Sequence, residues 1–287
     1  MTKQEIANLM VIDGYSEWKT ILKEKPKYKE VVLELLEPFK NVSVNLMFLI
    51  RKGINNNYTH EQIKLYARPE ISDYQSPIIF GGLEKLSYEK VAFYADPKYN
   101  PEQMLVIMEA LRKFEHSFES IKRFSNSKLT SVKLEFVLNQ IKYLGPEQIA
   151  ILADSEYTLD QMQLIKEGFD SKLTNEQVAL YAKSELDELK MEVILNAIKN
   201  NISTATIELF NEACYSNAEM NMIFTAVKDP MFNSGMLYLC LNSQTDIRGV
   251  EYVIDDVKKY GFDDLRRKYK ISCDEIKALK DDLLNLL

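Results

Sequence analysis

The amino-acid sequence predicts an all-α fold, an α-solenoid of stacked helix-turn-helix repeats of about 29 residues each. Three observations lead to this prediction. A column of small or modest-sized residues recurs at spacings of 28 to 30, a second column rich in methionine recurs at 28 or 29, and helix-start signals occur twice in each period. A helical hairpin of this length cannot bury its apolar stripe alone, so each repeat requires its neighbours.

The two columns share one register along the chain. The first contains Ala67, Ala95, Ser125, Ala153, Ala182, Asn211 and Cys240. The second contains Met47, Ser76, Met104, Lys133, Met162, Met191 and Met220. Mostly apolar residues lie three and seven positions beyond each member of the second column, which is the spacing of a buried helical face. Mostly small residues lie six positions beyond it, and these allow neighbouring helices to approach closely.

Each repeat contains two helix starts. Capping-box patterns precede the first helix at Thr59–Gln62 and Thr174–Gln177, and the second helix at Ser72–Gln75, Asn100–Gln103 and Thr158–Gln161. In this pattern the first side chain accepts an unpaired backbone N–H, while the glutamine three residues later reaches back to the cap residue. We predict two helices per repeat, each of about nine to twelve residues.

The aromatic column that precedes the small residue includes Tyr66, Tyr94 and Tyr181. Stacked aromatic rings can bind bases or a peptide. Because this column adjoins the small column, we interpret it as core.

The repeats divide the chain into three regions. Residues 1–44 are predicted to form an N-terminal helical cap, and residues 45–228 the repeat array. Residues 229–287 are predicted to contain weaker repeats and a C-terminal helical cap. Within the array the unit at 112–142 is irregular and basic. No stretch rich in glycine and serine interrupts the array, so no flexible linker is expected.

Several functional classes are not expected from the composition. The N-terminal residues do not resemble a signal or transit peptide, and no apolar run approaches the roughly 20 residues of a membrane helix, so we expect a cytoplasmic protein without membrane contact. Cys214, Cys240 and Cys273 are isolated, and His60 and His116 lie far apart, so neither a metal site nor a cofactor is predicted. Nucleotide-binding and nucleophile-elbow motifs are missing, and we expect no enzyme.

Charge is distributed unevenly along the sequence. Residues 1–144 carry 21 positive and 18 negative side chains, whereas residues 145–287 carry 15 and 25. This asymmetry has two interpretations. The charges form solvated helix faces without further role, or a partner recognises the charged surface.

Two groups of residues are candidates for partner binding. The irregular unit supplies Lys122, Arg123, Lys128 and Lys133, with Lys133 replacing the usual methionine; neutral drift of a decayed repeat is the alternative. The residues four positions beyond the methionine column include Phe80, Met108, Leu195 and Phe224. They are interpreted as the apolar floor of a groove or as packing between successive second helices.

The stretches "YTHEQIKLYARPEISDYQ" and "LTNEQVALYAKSELDELKMEVI" carry a recurring pattern, Glu-Gln before Tyr-Ala followed by a break and a second helix. Over residues 45–228 this pattern resembles the degenerate α-helical repeats of proteins from bacterial mobile elements and phages, which are distantly similar to HEAT-type solenoids. The resemblance implies protein binding rather than a fixed reaction, and it carries no catalytic residue.

Three functions remain open from the sequence. The leading one is a non-enzymatic module that binds another protein or a nucleoprotein, with inhibition of a host defence nuclease by a phage or mobile element as its sharper form. The second is a helical-repeat protein that binds nucleic acid directly, which the net charge of −7 disfavours. The third is a hydrolase with a pair of acidic side chains in a helical scaffold.

Overall fold

The computed structural model describes residues 1–114, 117–204 and 216–228, together with positions 207, 254, 255 and 259. Within these residues all regular secondary structure is helical, which confirms the all-α prediction. The helices are α1 (Lys3–Glu24), α2 (Tyr28–Leu36), α3 (Val44–Asn55), α4 (His60–Tyr66), α5 (Gln75–Leu83), α6 (Tyr88–Tyr94), α7 (Pro101–Lys113), α8 (Phe118–Phe124), α9 (Ser131–Gln140), α10 (Pro146–Leu152), α11 (Leu159–Asp170), α12 (Asn175–Ala179), α13 (Glu188–Lys199) and α14 (Asn217–Val227).

The chain divides into two compact units, Met1–Ser155 and Glu156–Leu287. In the first unit the second helices of successive repeats, α3, α5, α7 and α9, each contact the next, and α4, α6 and α8 each pack against the second helices on either side. In the second unit α11 contacts α13, and α13 contacts α14. The contacts within each unit therefore follow the repeat order that the sequence predicts. The solenoid arrangement of the whole chain and the three predicted regions stay predictions.

The first helices are shorter than predicted. The second helices contain 9 to 13 residues, as expected, but α4, α6, α8 and α10 contain 7 each and α12 contains 5. The small-column residues Ala67, Ala95 and Ser125 are the C-cap residues of α4, α6 and α8, and their backbones leave the helical region. These three first helices therefore end at the aromatic column, whereas α12 ends at Ala179, two residues before Tyr181.

Four of the five predicted capping boxes are confirmed. Thr59, Asn100, Thr158 and Thr174 each accept the backbone N–H three residues later, and the glutamine there accepts the N–H of the cap residue. At Thr59 the two bonds measure 3.2 and 2.8 Å. These bonds satisfy backbone groups that a helix start leaves unpaired. At Ser72–Gln75 the same two bonds form, but α5 begins only at Gln75, so this box does not cap it. Ser87, before α6, makes no such side-chain bond.

The glycines six positions beyond the methionine column make room for tyrosine hydroxyl groups. The Tyr66 hydroxyl donates to the Leu49 carbonyl at 3.1 Å, and a Cβ atom at Gly53 would lie 2.2 Å from that hydroxyl oxygen. The Tyr181 hydroxyl bonds the carbonyl of the corresponding residue of α11, also at 3.1 Å, and a Cβ at Gly168 would lie 1.9 Å from it. Glycine is therefore required by one specific atom of the neighbouring first helix.

The sequence pairs this glycine with a hydroxyl. A Cβ at Gly82 would lie 1.7 Å from the Tyr94 hydroxyl, although this hydroxyl makes no hydrogen bond within the described residues, and the next repeat combines Ala110 with Phe124, which has no hydroxyl. The rings of Tyr66, Tyr94 and Tyr181 are fully buried, which confirms the interpretation of the aromatic column as core. Burial raises the pKa of each phenol above its ordinary value of 10.0.

The turn inside each repeat holds the repeat that follows. Tyr99 donates its hydroxyl to the Ser125 carbonyl at 2.9 Å, and Tyr157 donates to the Ala182 carbonyl at 2.7 Å. Ile71 occupies the corresponding position one repeat before Tyr99 and has no donor. There the Arg68 guanidinium bonds the Ala95 carbonyl instead. The carbonyl at the end of a first helix, which the helix leaves unpaired, thus receives a donor from the preceding repeat.

The N-terminal region is fixed by a buried charge. Helix α1 is kinked at Gly14, whose φ of 151° is unfavourable for other residues. Next to the kink the Asp13 carboxylate, 3% exposed, accepts the Trp18 indole N–H and the Arg51 Nε–H, both at 2.8 Å. Because Arg51 belongs to α3, this pair connects the N-terminal helix to the first repeat.

We predict that Gly53→Ala lowers the free energy of unfolding by about 1–3 kcal/mol, because its Cβ overlaps the Tyr66 hydroxyl. Tyr66→Phe alone should cost about 1 kcal/mol through the lost hydrogen bond. The double variant should be more stable than the sum of the two losses predicts, and urea unfolding of the four proteins measures this coupling. Gly81→Ala is the control, since nothing lies within 4 Å of its Cβ position. Additive losses would show that the hydroxyl does not require the glycine.

Candidate functional site

One buried amide side chain connects successive repeats. At the start of α7 the Gln103 Oε1 accepts the Asn100 N–H at 2.8 Å, while its Nε2 donates to the Leu129 carbonyl of the next repeat at 2.7 Å. Gln161 makes the same pair of bonds, to the Thr158 N–H at 2.8 Å and the Leu186 carbonyl at 2.6 Å. Each amide therefore caps its own helix and holds the following turn.

Lys133 occupies this linking position rather than the methionine position. The Thr130 hydroxyl caps α9 by accepting the Lys133 N–H, and the Lys133 ammonium donates to the Ser155 carbonyl at 3.2 Å. Leu134 is the fully buried residue that follows. The prediction that Lys133 replaces the methionine is wrong by one residue. With Leu134 in that column, its spacings from Ser76 to Met191 become 28, 30, 28 and 29, identical to those of the small column from Ala67 to Ala182.

The other three predicted basic contacts lie on the surface. Lys122, Arg123 and Lys128 are exposed, and the Arg123 guanidinium lies 5.3 Å from the ring centre of Phe124. Lys133 is only partly exposed and is bonded inside its own unit. Lys133 therefore has a structural contact, whereas the other three side chains face solvent. Their contact with a partner stays a prediction.

The predicted groove row is buried. Phe80, Met108, Leu195 and Phe224 are 3%, 7%, 1% and 4% exposed. Phe80 lies 5.5 Å from the rings of both Tyr58 and Tyr66. This burial favours the alternative that the sequence leaves open, in which the row fills the contact between successive second helices. Contact of these four residues with a partner stays a prediction, and their burial does not support it.

A groove nevertheless opens between α7 and α9, with a volume of about 500 Å³. Its floor is apolar and its rim is charged. The lining residues are Leu105, Val106, Glu109, Ala110, Arg112, Lys113, Glu135, Leu138 and Asn139. Leu105 is 44% exposed, and Phe48 at the corresponding position of α3 is 45% exposed, whereas the corresponding residues of α11, α13 and α14 are polar: Gln163, Glu192 and Asn221. An exposed apolar side chain at this position is therefore shared by two second helices and does not by itself locate the groove.

Ion pairs cross the equivalent space in two other repeats. Lys52 of α3 binds Glu84, the C-cap residue of α5, at 3.1 Å. Lys199 of α13 binds Glu167 of α11 at 2.5 Å. Each pair joins the residue five positions beyond the methionine column on one second helix to the residue eight positions beyond that column on the next.

The same pair is not formed between α7 and α9. The corresponding residues are Glu109 and Lys142. Helix α9 ends at Gln140, so Lys142 lies beyond it, with its ammonium 5.7 Å from the ring centre of Tyr143. Glu109 instead binds Arg112 of its own helix at 2.8 Å. The groove is open because the cation that would cross it points elsewhere.

The described residues offer no metal site and no membrane span. No group of three or more histidine, cysteine, aspartate or glutamate side chains among them could hold a metal ion. In the same part of the chain no helix is both long and apolar enough to cross a bilayer. His116, Cys214, Cys240 and Cys273 lie outside the described residues.

Comparison with known proteins adds no assignment. No family model, no curated protein and no solved structure matches this chain.

We predict that Lys133→Gln raises the free energy of unfolding by up to about 1 kcal/mol. The amide would complete the capping box at Thr130 and keep the link to the next turn. Lys133→Met should lower it by about 1 kcal/mol, because the Ser155 carbonyl loses its donor. Lys122→Gln serves as the exposed control, with a change within about 0.5 kcal/mol. Equal urea midpoints for all three variants would contradict the linking role of Lys133.

Proposed function

We propose that this chain is a non-enzymatic protein-interaction module and that the groove between α7 and α9 receives side chains of the partner. The single observation that supports this proposal is an uncovered apolar floor between α7 and α9. In two other repeats the corresponding space is crossed by an ion pair, at Lys52–Glu84 and Lys199–Glu167. Apolar surface with a polar rim is typical of protein-binding sites.

The size of the groove favours a segment of a protein as its occupant, and not a whole protein surface. Its volume of about 500 Å³ is within the range of pockets for drug-sized ligands, and it accommodates a few side chains. Both walls are helices fixed by repeat-to-repeat bonds, at Gln103 and at Lys133. A rigid groove of this kind binds a peptide with little ordering cost on its own side.

Direct nucleic-acid binding is the second candidate, because Lys122, Arg123 and Lys128 are exposed. Three cations are few for phosphate recognition in a chain with a net charge of −7. The finer hypothesis of a phage or mobile-element inhibitor draws on the repeat pattern and on the acidic second half of the sequence. It is compatible with the groove and adds a nucleoprotein as the class of partner.

Affinity capture with a groove variant tests this proposal. The tagged protein is used to capture partners from a lysate of its own cells, with and without nuclease treatment. We expect a stoichiometric protein that survives nuclease and is lost with Leu105→Asp, because the carboxylate destroys the apolar floor. Leu189→Asp is the matched control, since Leu189 is 61% exposed and lies on α13. It should capture the partner as the wild type does.

The competing results are distinct. Capture that is unchanged by Leu105→Asp, in a protein with unaltered circular dichroism, would exclude the groove as the binding site. Recovery that depends on nucleic acid and is abolished by the triple variant Lys122→Glu, Arg123→Glu and Lys128→Glu would establish the second candidate instead.

A further inference from the structure

The structure itself shows what fits between two second helices of this chain. Between α3 and α5 the ammonium of Lys52 lies 4.7 Å from the ring centre of Phe80 while it binds the Glu84 carboxylate. Between α11 and α13 the ammonium of Lys199 binds the Glu167 carboxylate. In both places a lysine crosses the space, with a carboxylate at its charged end. A long cationic side chain suits such a space because its methylenes cover apolar surface while the charge stays near water.

The groove between α7 and α9 retains the carboxylate but lacks the cation. Glu109 occupies the same position on α7 as Glu167 on α11, and Lys142 would be its partner. Because Lys142 lies beyond the end of α9, no cation from the next helix reaches Glu109. A second carboxylate, Glu135, lines the same groove from α9.

The two carboxylates differ in their availability to a ligand. Glu109 pairs with Arg112 three residues away on the same helix, and these side chains are 59% and 44% exposed. Such exposed pairs contribute little to stability, but this pair engages Glu109 with Arg112. Glu135 is exposed, and no residue in the described part of the chain bonds its carboxylate. It is the acidic group of the groove that lacks a partner.

The basic residues of the groove are already occupied. Arg112 is held by Glu109, and the ammonium of Lys113 donates to Asn139 at 3.0 Å and lies 5.0 Å from the Phe114 ring centre. Both belong to the last turn of α7, whereas Glu135 lies in the first half of α9. The bonds at Glu102–Ser131 and Lys113–Asn139 show that α7 and α9 run in the same direction. Glu135 therefore lies nearer the middle of α7 than its basic end.

From this charge complementarity we infer that the groove receives a lysine or arginine side chain of a protein partner. The aliphatic part of this side chain lies on Leu105 and Val106, and its charged end binds Glu135. The partner thus supplies the contact that Lys52 and Lys199 make within the chain. This inference rests on the proposed function and adds the chemistry of the ligand.

Selection from a library of random heptapeptides, displayed on phage, tests the inference with the full-length protein as bait. We expect the wild-type protein to enrich peptides in which a lysine or arginine is flanked by apolar residues. The most enriched sequence is then synthesised, together with a version that carries norleucine in place of its basic residue. Norleucine keeps the aliphatic chain and removes the charge.

Fluorescence anisotropy then measures the affinities of the synthetic peptides. We expect Glu135→Lys to weaken the basic peptide about tenfold and the norleucine peptide by less than about twofold, because the charge pair is lost only with the former. Glu192→Lys is the matched control. Glu192 is exposed and holds the same position on α13 as Glu135 on α9, and its substitution should leave both affinities within about twofold.

The contrary outcomes separate this inference from the proposed function. Enriched peptides with acidic or uncharged anchors that lose binding to Leu105→Asp would overturn the inference and leave the groove as a protein-binding site. Equal weakening of both synthetic peptides by Glu135→Lys would also overturn it. Enrichment that is the same for wild type and Leu105→Asp would overturn both proposals, because binding would then lie outside the groove.

Discussion

The arrangement of each unit depends on one constraint, that a buried amide must use both its acceptor and its donor. Gln103 and Gln161 meet this requirement in two directions, toward the cap of their own helix and toward a carbonyl of the next turn. Because the two ends of one side chain are fixed at once, the start of a second helix determines where the next repeat lies. The apolar stripe supplies most of the stabilisation, but it tolerates sliding; hydrogen bonds at defined distances do not.

The groove follows from this fixed register. Once the starts of two second helices are aligned, the residues five and eight positions beyond the methionine column face each other. They form an ion pair only where they carry opposite charges and the later helix extends far enough; Gly81 and Arg112, between α5 and α7, do not carry opposite charges. Glu84 and Lys199 are reached, as C-cap or last residue of their helices. Lys142 is not, because α9 ends at Gln140. The opening is thus a local consequence of helix length within a repeat whose start is in register.

The sequence predicts more of the fold than of the site, for physical reasons. Helix starts depend on neighbours three residues apart, so the capping boxes at Thr59 and Thr158 are readable from the sequence. The register at Lys133 is harder to predict, because Lys133 and Leu134 compete for one column. The spacings of the small column favour Leu134, and the burial of Leu134 and the bond from Lys133 to Ser155 decide between them. The burial of Phe80 and Met108 depends on how closely adjacent helices pack. The groove is equally hidden, since Glu109 has two possible partners, Arg112 in its own helix and Lys142 in the next repeat, and the fold selects Arg112.

Neutral drift of a repeat and functional change of a repeat affect different contacts within it. A decayed repeat loses capping, links and core together, because nothing maintains any of them. The repeat with α8 and α9 keeps its Thr130 cap, its Lys133 link, and the buried side chains of Leu134 and Val137. It lacks the aromatic-column hydroxyl, the capping glutamine and the ion pair across its outer surface, while Leu105 supplies apolar area at the same place. A repeat that keeps its core and its links but exposes apolar area is the pattern expected where a surface contact serves a partner.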